Sequence, residues 1–322
     1  MTPAASVRVG GMTTISGARQ AGPRKPQLNL TVRSRELLSP SMVRVVLGLD
    51  EPERYADIVP PEKYVKLVFL RPGQEHPCPE HPGAAGAAVP GPGAEEPGSA
   101  PPVPEAGGNP DYWELKETLP GDQQPVTRHL TIRRYVPERH ELWMDFVLHG
   151  DEGFAGPWAA GAEPGDRIIA LGPGGKWTPA PDAAWTLLAA DDAAIPAALA
   201  VLEALPASAQ GEVLLEVDSP CDVQPVSAPA GMAVRWVFRA EDGPCEDPAL
   251  VRAVREAGWP ADPQGVQVFA HGEREVMKAL REELFTRRRL ERGQVSLSGY
   301  WARGRTEDVF QAEKKLPVGQ IL

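Results

Sequence analysis

The sequence predicts a small antiparallel β-barrel followed by an α/β domain in a chain of 322 residues. Three observations lead there. The first half holds six short runs rich in β-branched and aromatic residues, separated by turn residues, as in a small barrel. From Trp185 onward strands alternate with helical stretches, which calls for a parallel sheet with crossover connections. The length suffices for two domains, each with its own core.

Barrel strands are expected at Leu28–Leu37, Met42–Leu47, Tyr64–Leu70, Arg128–Tyr135, Glu141–His149 and Arg167–Leu171. The turn at Pro137–His140 makes the fourth and fifth strands a hairpin. Phe154–Gly161 reads as a short helix. In the second half, strands are expected at Thr186–Ala190, Val213–Val217, Val234–Phe238, Val266–Ala270 and Val295–Gly299. Helices are expected at Ala193–Leu205, Pro248–Ala257 and Glu273–Phe285. The resulting plan is a tail over 1–25, a barrel domain over 26–178, an α/β domain over 182–304 and an extension over 305–322. A helical stretch at Glu307–Lys315 is a candidate to cover the cleft between the domains.

One segment belongs to neither pattern. Residues 76–110 contain 10 Pro, 7 Gly and 7 Ala, too little apolar surface to offset chain entropy. It reads as a flexible insert in the barrel, which loop-closure entropy tolerates. The alternative is a lid or docking arm.

Composition narrows the function. The net charge of −11 argues against nucleic-acid binding, which needs a basic face, and against docking on an anionic membrane. No stretch approaches the ~20 apolar residues of a membrane helix, and the first residues lack the apolar run of a signal peptide. Cys78, Cys221 and Cys245 are odd in number and far apart. They read as free thiols in a reducing cytoplasm rather than as a disulfide or metal set.

Five stretches fall where strands meet turns or helices: RHLTIRRY (Arg128–Tyr135), FVLHGDEGFAGPWA (Phe146–Ala159), LLAADDAAIPA (Leu187–Ala197), FAHGE (Phe269–Glu273) and VSLSGYWARG (Val295–Gly304). Each has a plain structural explanation. The arginines suit a solvated strand face, Asp191 and Asp192 suit a helix N-cap, His149 suits a structural role, and Trp301 suits strand packing. Taken together, in this order, they resemble the ferredoxin-reductase-like flavoproteins, and more closely the siderophore-interacting protein family. The resemblance spans about residues 27–304.

The resemblance implies a six-stranded antiparallel FAD-binding barrel followed by a Rossmann-like parallel-sheet domain. It implies that Arg128 holds the FAD diphosphate, a good match for a guanidinium fork. Thr131 would bond the reactive flavin nitrogen, with His129, Leu130 and Arg133 beside it. His149, Gly150, Gly153, Ala155 and Gly156 would line the diphosphate and ribitol. Asp191 would face the cofactor, and Trp301 would lie on adenine or flavin. Four positions depart from the family pattern: Leu130 replaces an aromatic residue, Phe154 a proline, Gly156 a serine and Ala193 a hydroxyl residue.

The implied activity is FAD-dependent reduction of a ferric siderophore with release of iron(II), which oxygen ligands hold far less tightly than iron(III). The implied donor is NAD(P)H or reduced ferredoxin. Anionic substrate would meet Lys66, Arg134 and Arg303, with Arg305 as a further cation. No acid–base catalyst and no protein-bound metal are required. Two other readings stay open: a degenerate member that binds a siderophore or partner without turnover, and a flavin reductase serving another acceptor.

Overall fold

Alternating apolar residues send Leu28, Leu30 and Val32 into a core from strand β1 (Gln27–Ser39). The alternation fails beyond Val32, where the ladder to the next strand slips between Val32 and Ser34, a bulge that bends the strand. The computed structural model describes residues 24–55, 63–70, 109–150, 153–175, 177–239 and 247–322. Most of the predicted tail and insert lies outside the described residues.

The first domain continues through β2 (Met42–Leu49), β3 (Lys63–Phe69), α1 (Tyr112–Thr118), β4 (Val126–Ile132), β5 (Arg134–Val136), β6 (Glu141–Val147), α2 (Ala155–Gly161) and β7 (Arg167–Gly174). Helix α1 was not expected. Asp111 caps it by accepting from the Trp113 and Glu114 amides. The strands form one antiparallel sheet in the order β4-β3-β7-β1-β2-β6-β5. Its core includes Leu30, Val45, Leu47, Leu67, Leu142, Met144 and Ile168.

The strand count corrects the sequence. The expected strand Arg128–Tyr135 is two strands broken at Arg133, so among the described residues the sheet has seven strands and not six. Consecutive strands β4 and β5 sit at opposite edges, so the sheet curls without a ladder joining its edges. At the break the Arg133 amide donates to the Trp143 carbonyl at 2.9 Å. The chain thus changes partner from β3 to β6 within one residue.

The second domain runs β8 (Trp185–Asp191), α3 (Ile195–Ala204), β9 (Gln210–Val217), β10 (Gly231–Phe238), α4 (Ala249–Glu256), β11 (Val266–Glu273), α5 (Arg274–Arg281), β12 (Val295–Trp301) and α6 (Glu307–Glu313). The sheet order is β10-β9-β8-β11-β12, and every ladder is parallel. The order reverses between β8 and β11, the switch point at whose carboxyl ends such sheets bind ligands.

Two carboxylates join the domains. Asp222 accepts from the Ser41 hydroxyl at 2.6 Å and the Ser41 amide at 3.2 Å. Glu203 on α3 accepts from Arg133 at 2.5 Å and Arg134 at 2.9 Å. Burial alone would raise the Glu203 carboxyl, but the two guanidinium groups hold it below the usual range.

Inside β11, His271 is fully enclosed. Its Nε2 pairs with the Ser296 hydroxyl at 2.9 Å. Burial, aided by the charge of Lys314, pushes it down to about 3. The unfolded chain therefore binds a proton between about pH 6.5 and 3 that the folded chain rejects. This stability is complete above the unfolded value and is lost as pH falls. Urea midpoints are expected to decline from pH 7.5 to 5, and His271→Gln is expected to flatten that decline. An unchanged slope in the variant contradicts the assignment.

Candidate functional site

Strand alternation divides β4 between two environments. Leu130 and Ile132 pack on the barrel core. His129, Thr131 and Arg133 point the other way. His129 Nδ1 lies 3.4 Å from Glu307 Oε1 on α6, and Arg133 reaches Glu203 on α3. Thr131 is buried between them. This strand therefore lines the junction of the two domains, and the extension beyond residue 304 closes one end of it. Leu130, expected beside the flavin, is half-buried and packs in part on the barrel core. Tyr64 is the aromatic residue nearest Thr131 in the ladder, directly across from it on β3.

Arg128 lies at the mouth of the junction. Its guanidinium carbon sits 5.4 Å from the Phe154 ring centre, at the residue that opens α2. Two stretches recognised separately in the sequence thus meet in space. Nη1 donates to Asp308 Oδ1 on α6 at 3.2 Å, so one terminal nitrogen is engaged by a mostly exposed acid. Gly150 and Gly153 adopt left-handed φ values of 72° and 87°, which favour glycine. Among the described residues, nothing lies within 4 Å of where their side chains would be. Gly156 is buried under the Val147 carbonyl, 3.3 Å from an added Cβ. His149 is exposed, and Ala155 packs on the barrel edge. Arg133 is buried, and its Nε and Nη1 have no hydrogen-bond partner among the described residues. The half-engaged Arg128 guanidinium beside Phe154, where α2 opens, suits a phosphate-bearing cofactor.

The α/β side corrects two expectations. Asp191 is not an open cofactor contact, because its carboxylate is enclosed and already bonded. Oδ2 accepts from the Glu273 amide at 2.7 Å and the Trp301 indole at 2.7 Å. Oδ1 accepts from the Ala194 amide at 3.3 Å. Burial first, and then Asp192, push this carboxyl up to about 8. Trp301 spends its only donor on Asp191, leaving just its half-buried ring to face a ligand. Gly272 is required here, since an added Cβ would lie 2.7 Å from the Asp191 Cγ. Asp191 thus pins β8, β11 and β12 together at the switch point.

The expected substrate cations are scattered. Lys66 stands on β3, directly across from His129. Arg134 pairs with Glu203 and lies 5.1 Å from the Trp143 ring centre, so its charge is already engaged. Arg303 is exposed at the carboxyl end of β12. Arg305 pairs with Glu313 at 2.8 Å. A cavity of about 610 Å³ lined by Trp177, Gln267, Arg289 and Gln294 lies at the amino ends of β11 and β12, away from these residues. Glu203, Glu307 and Asp308 were missed in the sequence because acids on helices carry no local mark of a distant partner. Cys221 is an exposed free thiol, and Cys78 and Cys245 lie outside the described residues.

Comparison with known proteins follows the same division. Residues 183–304 match the family model described as siderophore-interacting protein. Residues 94–177 match the siderophore-interacting FAD-binding domain. The ferric vibriobactin reductase of Vibrio cholerae is 34% identical over 60% of this chain and 70% of its own length. The NADPH-dependent ferric-chelate reductase of Escherichia coli is 30% identical over 56% of this chain and 68% of its own. The crystal structure of a siderophore-interacting protein from Aeromonas hydrophila superposes with a TM-score of 0.66 at 28% identity, covering 91% of this chain and 98% of that one.

Replacing Asp191 by Ala strands two N–H donors, the Glu273 amide and the Trp301 indole, while the Ala194 amide keeps the residue-191 carbonyl at 2.9 Å. The expected loss is roughly 2–4 kcal/mol in chemical denaturation. A loss under about 0.5 kcal/mol is that of an ordinary surface substitution and contradicts the pinning role.

Proposed function

The chain belongs to the siderophore-interacting protein family of FAD-binding oxidoreductases, and on that premise we propose that it reduces ferric siderophores through FAD and releases iron(II). The observation that carries the reading is the meeting of Arg128 with the opening of α2, inside the segment that matches the FAD-binding domain.

When bound, FAD would supply redox chemistry that converts a two-electron donor into one-electron transfers. The chain's own residues do the rest. Arg128 would neutralise the diphosphate, and the positive-φ Gly150 and Gly153 would let backbone approach it. Arg133 would offer its buried donors, and the Thr131 hydroxyl would hold the ring system. Barrel and α/β domain exclude water from either side of β4. Lys66 and Arg303 draw in an anionic chelate, whereas Arg134 contributes mainly through Glu203. Reduction weakens the grip of hard oxygen ligands, so the metal leaves as iron(II). Two ferric chelates are consumed for each donor hydride.

NAD(P)H or reduced ferredoxin is the proposed donor, and a soluble ferric siderophore in the cytoplasm the proposed substrate. No helix among the described residues is long and apolar enough to cross a membrane.

Iron(II) formation from ferric chelates, with NADH, NADPH and reduced ferredoxin offered in turn, tests the activity. Protein that forms none with any donor refutes it. Arg128→Ala is expected to weaken FAD binding at least about tenfold, read by flavin fluorescence titration; wild-type affinity in the variant would remove Arg128 from the diphosphate. Lys66→Ala is expected to keep its flavin and lose affinity for anionic chelates. Unchanged apparent affinity for several such chelates would remove Lys66 from the substrate site.

A further inference from the structure

Lys25 precedes β1, in a stretch whose composition reads as loose tail, and no motif includes it. It is nevertheless held. The Trp113 indole donates to its carbonyl at 3.3 Å, and the Gly172 amide donates to the next carbonyl, that of Pro26, at 3.2 Å. The Lys25 ammonium lies 5.2 Å from the centre of the Tyr64 ring, within cation–π range. Tyr64 in turn lies 5.3 Å from the His129 ring and directly across the ladder from Thr131. Lys66, two residues along β3, shares this face and stands across from His129.

The two ammonium groups are close enough to oppose each other. Burial, and after it the charge of Lys66, lowers the Lys25 ammonium below its ordinary value. Neither lysine pairs with a carboxylate among the described residues. Several buried arginines elsewhere are matched: Arg44 with Asp145, Arg133 with Glu203, Arg239 with Glu216. Nearby Lys63 is also engaged, donating to the Gly175 carbonyl at 3.2 Å. In a chain of net charge −11, two unmatched cations side by side mark a place where an external anion relieves their repulsion.

We propose that Lys25 and Lys66 form a two-cation clamp for the anionic donor oxygens, carboxylate or catecholate, of the ferric chelate, with Tyr64 as the platform beside Thr131. The clamp selects anionic chelates over neutral ones, and Lys25 is the residue that sets this selectivity. The inference rests on the reading of the protein as a ferric-chelate reductase.

Redox-inert gallium(III) complexes test binding without turnover, using the full FAD-loaded chain and tryptophan fluorescence. The probes are a triply anionic gallium tris-catecholate and a neutral gallium trihydroxamate. Lys25→Gln is expected to weaken the anionic complex roughly fivefold and to leave the neutral complex unchanged. Lys25→Arg is expected to keep wild-type affinity for both. High salt is expected to narrow the gap between wild type and Lys25→Gln. Equal affinity of wild type and Lys25→Gln for the anionic complex overturns the clamp. A matching loss for the neutral complex also overturns it, because that pattern belongs to packing on Tyr64. If Lys66→Gln weakens the anionic complex and Lys25→Gln does not, the reductase reading survives and Lys25 alone is wrong. If wild type binds neither complex, reading and clamp fail together.

Discussion

One carboxylate organises the junction. Glu203 on α3 accepts from Arg133 and Arg134, the two residues at which the chain leaves one edge of the barrel sheet for the other. The contact fixes the break between β4 and β5 and holds β4 against the α/β domain. A pair of this kind adds little net stability, because desolvation offsets most of the attraction. Removing one partner is a different matter, since it leaves a charge unmatched in a buried place. The pair therefore acts on geometry: with Arg133 held, Thr131 and His129 are aimed at the interdomain junction, and Arg128 is left at its mouth.

The α/β domain has its own fixed point. Asp191 gathers two backbone amides and an indole from three elements at the switch point of the sheet. Its enclosure explains why Gly272 has no side chain and why the DD pair is no phosphate loop. On the proposed function the chemistry falls to the opposite wall of the junction. There the proposed donors are on β4 and at Gly150 and Gly153, and the unmatched cations are on and beside β3. The C-terminal helix lies across the same strand through Glu307 and Asp308, so three separate parts of the chain meet along β4.

Much of this was legible in the sequence. Strand and helix order follow from periodicity, and five short stretches carry the family resemblance. The failures have physical causes. Strand Arg128–Tyr135 reads as continuous because no glycine or proline marks the break; the break is made by a tertiary contact of Arg133. Asp191 and Trp301 lie in family-like stretches, and nothing local reveals that they bond each other. Leu130 stands at an aromatic position of the family and packs in part on the barrel core, and the aromatic Tyr64 across from Thr131 comes from another strand, where no local pattern marks it. Lys25 was hidden because tail-like composition says nothing about an anchoring tryptophan 88 residues away.

The central claim is that electrons pass from flavin to iron at this junction. The direct measurement is an anaerobic titration of the FAD-loaded, fully reduced protein with a ferric siderophore, in the presence of an iron(II) trap. The account predicts return of the oxidised flavin spectrum with two iron(II) formed per flavin. A protein that takes up no FAD, or whose reduced flavin persists in excess ferric siderophore, contradicts it.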